Sequence, residues 1–189
     1  MRCFLAVFPP PQAQAVAARA IESLRRPGDG VSWVRPDHLH YTLRFLGDID
    51  EDGARRAGEA ADEAVPDLQA FEARLGSFGA FPGYKGARVI WLGLGSGAEP
   101  LVALAKRLEA ALGRRGFAPD GRGFEPHLTL GRVRDAAGDW PQSLAAAGSP
   151  AGDPAARFTV DAIACVESTL SPKGSIYRVW KRAELARRV

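Results

Sequence analysis

Long apolar runs are missing from this chain of 189 residues. No stretch approaches the roughly 18 consecutive apolar residues of a membrane helix, so no membrane role is expected. Cysteine is nearly absent too. Cys3 and Cys165 each lie in an apolar run and read as small core residues of strands. With no Cys-x-x-Cys and no Cys/His spacing, disulfide frameworks and zinc ribbons are excluded. A strong charge of one sign is also lacking: 25 Lys and Arg stand against 22 Asp and Glu, a net +3. That balance permits an anionic ligand without demanding one. There is no Gly-x-Ser-x-Gly elbow. Gly121-Arg122-Gly123 lacks the Lys-Ser/Thr of a phosphate loop and reads as an ordinary loop. The opening residues have neither the length nor the cleavage site of a signal peptide, so a cytoplasmic location is expected.

Against this background the histidines stand out. There are three, and four threonines, yet His-x-Thr-Leu occurs twice: His40-Tyr41-Thr42-Leu43 and His127-Leu128-Thr129-Leu130. By chance a given His has Thr two places on roughly one time in fifty, so two hits in three is not noise. In an extended strand, residues i and i+2 share a face. Each copy therefore presents an imidazole beside a hydroxyl. Two imidazoles, with a reference pKa of about 6.5, supply one acid and one base near neutral pH. Two hydroxyls supply neutral donors for an anion. The set suits in-line displacement at phosphorus, one His on the attacking side and one on the leaving side.

The element pattern repeats around the motifs. Cys3 to Phe8 reads as a strand stopped by three prolines, and Ala13, Ala17, Ala20, Ile21 and Leu24 follow helical spacing. A short strand follows near Val31, then the first motif strand, then an Ala-rich helix with Asp50 as N-cap. Gln69–Phe81 and Arg88–Leu94 read as strands, Leu101–Leu112 as an amphipathic helix, and the second motif strand follows. Trp140–Ala147 reads as a short helix; Phe158–Leu170 and Ile176–Arg182 read as a closing strand pair. The expected fold is α+β and bilobal: two pseudo-symmetric lobes, each with an antiparallel-rich sheet and outer helices, and an active site in the central cleft. Residues 1–189 would form a single domain of two intertwined lobes, and a monomer is expected.

Arginines follow both motifs. Arg44 lies at an even offset from His40 and could share its face. Arg132 lies at an odd offset from His127, so it reaches that face only through a twist or bulge at Gly131. Either guanidinium could grip phosphate through a bidentate fork. His38, His40 and His127 also offer three imidazoles, a competing reading as a zinc hydrolase. That reading leaves both threonines and the repetition unexplained. Phe4, Phe8, Trp33 and Tyr177 are core candidates, of which one or two could stack a base.

The twin motifs resemble those of the 2H phosphoesterase superfamily. Trp33-Val34-Arg35-Pro36 before His-x-Thr-Leu-Arg-Phe-Leu-Gly resembles the RNA 2′,3′-cyclic phosphodiesterases, also described as 2′-5′ RNA ligases. So do Pro126 to Arg132, and Glu167-Ser168-x-Leu170 followed by Gly174-x-x-Tyr177. The resemblance implies hydrolysis of a 2′,3′-cyclic phosphate, on an RNA end or a nucleotide, to a 2′-phosphate, with no metal and no cofactor. It implies that His40 is the general acid at the leaving 3′ oxygen and His127 the general base for water. Thr42, Thr129 and Arg132 would hold the non-bridging oxygens. Reversible 2′-5′ ligation at the same site is the alternative within the family. His38 departs from the residue expected in many relatives, and Asp48 to Gly86 carries nothing diagnostic.

Overall fold

A computed structural model describes residues 1–121, 123–134, 140–172 and 174–187. Arg122, at the centre of the Gly121-Arg122-Gly123 loop, lies outside them. Among the described residues, nine strands form one antiparallel sheet. They are β1 (Arg2–Val7), β2 (Val31–Trp33), β3 (Tyr41–Asp48), β4 (Phe71–Phe81), β5 (Val89–Ser96), β6 (Leu128–Val133), β7 (Arg157–Val160), β8 (Ala162–Ser171) and β9 (Gly174–Glu184). Their order is β7-β4-β5-β6-β3-β1-β8-β9, with β2 added against β6. The two expected sheets are thus one ladder, joined where β3 meets β6 at the Tyr41↔Leu128 pair.

Among the described residues, four α-helices cover the sheet: α1 (Pro11–Leu24), α2 (Glu51–Ala64), α3 (Ala98–Arg114) and α4 (Trp140–Ala147). Pro11 opens α1, where its missing N–H costs nothing. Asp50 caps α2 by accepting from the Gly53 amide at 2.7 Å. The Ala-rich face of α2 buries Ala54, Ala57, Ala60, Ala61 and Ala64. A Cβ at its Gly58 would lie 3.2 Å from the Trp180 ring, so small residues let the helix settle onto β9. α1 packs on β6 and α4, and α3 packs on α2 and β3. Each half of the chain therefore lends a helix to the other half's strands.

Alternation along β1 builds two layers. Leu5 and Val7 join the main core under the helices. Phe4 and Ala6 point the other way, into a small cluster with Ala164, Val166, Phe8 and Tyr177. Being buried on both faces is what makes β1 and β8 read as unbroken apolar runs. The closing strand expected over Phe158–Leu170 is in fact two. The chain leaves β7, paired with β4 at one end of the sheet, and after Asp161 enters β8, paired with β1 near the other. A continuous apolar pattern hides this crossover, because both pieces face core.

A twin-histidine cleft

The Tyr41↔Leu128 pair organises the site. Both side chains are fully buried in the core, so their neighbours in each strand face the opposite side. Continuing the antiparallel register by one residue each way sets His40 opposite Thr129 and Thr42 opposite His127. The four side chains then form a square whose diagonal corners are the two imidazoles. Direct cross-strand neighbours have Cβ atoms about 4.5–5.5 Å apart and diagonal ones about 7–8 Å. The diagonal spacing leaves room between the two imidazoles.

Each histidine sits one residue before its strand and is held in the same way. His40 Nδ1 is 2.6 Å from the carbonyl oxygen of His38, and His127 Nδ1 is 2.8 Å from that of Glu125. A carbonyl only accepts, so Nδ1 carries the proton and donates. Nε2 is then the free nitrogen of each ring. Aromatic walls fix the ring planes. Phe4 stacks on His40 at 4.7 Å and Phe8 lies 5.2 Å away. Phe81 and Trp91 meet His127 edge-on at 5.1 and 6.3 Å.

A cleft of about 250 Å³ opens beside the square. His38, His40, Thr42, Thr129 and Arg132 line it, together with Arg2, Phe4, Phe45 and Tyr177. His127 is not among the lining residues; its charge nonetheless bears on His40, as do those of His38 and Arg132. Burial pushes the His40 imidazole down to about 4, reinforced by those three charges and opposed by the hydrogen bond to the His38 carbonyl. In the free protein His40 is therefore neutral at pH 7, and it stays neutral at pH 5 to 6, where a reference imidazole is largely charged.

Arg132 enters the cleft through a bulge. β5 pairs Ile90 with Gly131 but Trp91 with Thr129, leaving Leu130 as the extra residue of β6. The β6 burial pattern slips at the same point, with Leu130 and Gly131 both buried before exposed Arg132. Gly131 is required there, because a Cβ would stand 2.6 Å from Val31 Cγ1 and 2.8 Å from Trp33 Cε3. Gly131→Ala should lower stability by about 1–3 kcal/mol through overpacking and turn Arg132 out of the cleft. Thermal unfolding and kcat/KM, measured on the same preparation, check both effects.

Arg44 goes elsewhere. β3 has its own bulge, with Leu5 paired to Arg44 and Ala6 to Thr42. The Arg44 guanidinium binds Glu109 on α3 at 3.2 Å and the Ala118 carbonyl, so it anchors α3 and the loop after it. The same bulge brings Phe45 into the cleft. Phe45 is five residues past His40, as Arg132 is five past His127. Aligning the two motifs could have found this apolar counterpart of Arg132; nothing in the local sequence would. The two anchoring carbonyls carry no sequence signal at all. Among the described residues, no three His, Cys, Asp or Glu side chains are grouped to hold a metal ion. His38 instead stacks on Tyr177 at 4.2 Å.

A curled antiparallel sheet with outer helices and paired His-x-Thr strands at its centre defines a 2H phosphoesterase. The chain belongs to the 2′-5′ RNA ligase superfamily, whose family model matches residues 9–171. It is 32% identical to an RNA 2′,3′-cyclic phosphodiesterase of Thermotoga maritima, over 95% of this chain and 92% of that protein. A Methanocaldococcus jannaschii protein of the same name is 31% identical, over 96% and 99%. Among solved structures, a Thermus thermophilus protein superposes with a TM-score of 0.80 at 29% identity, covering 98% of both chains. LigT of E. coli, crystallised with 3′-AMP, gives 0.79 at 24% identity, covering 97% of each, which bears on the fold. Among the described residues no helix is long and apolar enough to cross a membrane.

Proposed function

We propose that this enzyme hydrolyses the 2′,3′-cyclic phosphate of an RNA end or nucleotide to a 2′-phosphate, by acid–base catalysis from His40 and His127 without a metal. The observation that carries this reading is the diagonal placement of two imidazoles with matched Nδ1 anchors. In-line displacement needs a base on one side of phosphorus and an acid on the other. His127 Nε2 takes a proton from water as the water oxygen bonds to phosphorus. The P–O3′ bond breaks, and protonated His40 Nε2 gives its proton to the leaving O3′. Thr42, Thr129 and Arg132 hold the non-bridging oxygens, and their donors matter most as charge builds in the transition state. The names carried by the T. maritima and M. jannaschii relatives support the same substrate.

The test is turnover of a 2′,3′-cyclic nucleotide with and without a strong chelator, the product assigned by phosphorus NMR. Chelator-insensitive formation of the 2′-phosphate is expected. Chelator-sensitive turnover would move the assignment to a metal held by the histidines, and a 3′-phosphate product would reverse the leaving oxygen. Ligation puts an RNA 5′-hydroxyl in the place of water: His127 takes the hydroxyl proton as the 5′ oxygen bonds to phosphorus, and O3′ again leaves with the proton of His40. The ratio of 2′-5′ joined product to 2′-phosphate on RNA ends decides whether it matters.

A further inference from the structure

The cleft extends well past the square along β1, β8 and β9. Beyond Phe4 its lining continues through Arg2, Ser168, Ser175, Tyr177 and Leu170. Register explains why these side chains meet. Arg2 pairs with Ser168, and Ser168 with Tyr177, so guanidinium and two hydroxyls form one row across β1, β8 and β9. Ser175, paired with Leu170, lies next along β9. Asp48 ends the row on the outer side, opposite Arg2. Among the described residues Arg2 forms no ion pair, with Asp48 or any other acid. Its guanidinium rests over the Phe45 ring, 5.0 Å from the centroid. Tyr177, Arg2 and Arg132 line the same cleft; burial raises the Tyr177 phenol, and the two cations act against that rise. Phe45, paired with Phe4 between the square and Arg2, is 42% exposed, and Leu170, beyond Ser168 on β8, is 70% exposed.

One cation and two hydroxyls suffice for the phosphate at the square. A second unpaired guanidinium with its own hydroxyls, in the same cleft, calls for a second anion on the same ligand. We propose that Arg2, Ser168, Ser175 and Tyr177 form a second phosphate subsite, which holds the phosphate on the 5′ side of the terminal nucleoside while that nucleoside lies against Phe45. The proposal rests on the cyclic-phosphate reading and narrows its substrate class. The preferred substrate carries a phosphate 5′ of the cyclic end, as an RNA terminus does and a free cyclic nucleotide does not. The cleft volume, below the ~300–1,000 Å³ of pockets that enclose a whole small molecule, fits a chain end.

The test compares kcat/KM for three substrates: a nucleoside 2′,3′-cyclic phosphate, the same with a 5′-phosphate, and a dinucleotide ending in the cyclic phosphate. Charge-assisted hydrogen bonds to the added phosphate should favour the second or third by roughly ten- to a hundredfold. Whichever is better identifies a 5′-phosphomonoester or a chain phosphodiester as the ligand. In Arg2→Met, which keeps the stem over Phe45, the ratio should fall to about one, and in Arg2→Glu below one. Because each ratio is internal to one preparation, partial misfolding does not move it. Equal kcat/KM on all three substrates in the wild type, or an unchanged ratio in Arg2→Met, overturns the second subsite. Failure to turn over any cyclic phosphate overturns the underlying activity instead, so the two failures are distinct.

Discussion

His40→Ala and His127→Ala are each expected to lower kcat/KM on a 2′,3′-cyclic nucleotide by about 10²–10⁴. Cooperative thermal unfolding is expected to persist in both variants and separates a loss of catalysis from a loss of fold. Because acid and base act in one step, the double variant should lose far less than the product of the single losses. A substrate with a different leaving group separates the roles. An aryl phosphodiester expels a phenolate that needs no proton, so it bypasses the acid but still requires activated water. On it, the His40→Ala defect should shrink to less than tenfold while the His127→Ala defect stays large. The opposite pattern would exchange the two assignments. Wild-type activity in either variant would remove twin-histidine catalysis altogether.

The chemistry is more legible in the sequence than the architecture that delivers it. Two His-x-Thr pairs in a chain with three histidines identify the imidazole–hydroxyl sets, because period-two geometry is local. The odd offset of Arg132 from His127 is enough to imply a bulge at Gly131. What stays hidden depends on pairing across the chain. The single Tyr41↔Leu128 bridge fuses two sheets, and no residue near it announces that contact. The even offset of Arg44 from His40 would let it share that face, but the extra residue in β3 turns it toward Glu109. The Asp161 crossover is hidden because strands buried on both faces keep the same composition wherever they pair. Backbone carbonyls 38 and 125, which set both tautomers, are invisible to any reading of side chains.

The second large effect expected is a pH dependence centred on His40. Burial holds its imidazole at about 4, against about 6.5 in an unfolded chain. Between those values the unfolded state binds a proton that the native state does not. Stability therefore falls as pH drops from 6.5 to 4, and this group adds no slope above 6.5. The full loss is about 3 kcal/mol for 2.5 pH units at about 1.36 kcal/mol each. Denaturant midpoints from pH 7 to 4 should show it as a difference between the wild type and His40→Gln, which removes the titration and cancels the contributions of other acids. An acid catalyst with so low a pKa is protonated in about one molecule in a thousand at pH 7, so the substrate must help to charge it. A bound anionic phosphate does so by favouring the imidazolium. Linkage makes the effect reciprocal: if phosphate raises the His40 pKa, protonation of His40 must tighten phosphate binding. The Kd of inorganic phosphate or a 2′-nucleotide should fall by more than the ligand's own ionisation explains as pH goes from 7 to 5, and His40→Gln should abolish that excess. A His40 signal that titrates near 6.5 in the free protein, or an affinity excess that survives His40→Gln, would show that its proton is supplied independently of substrate.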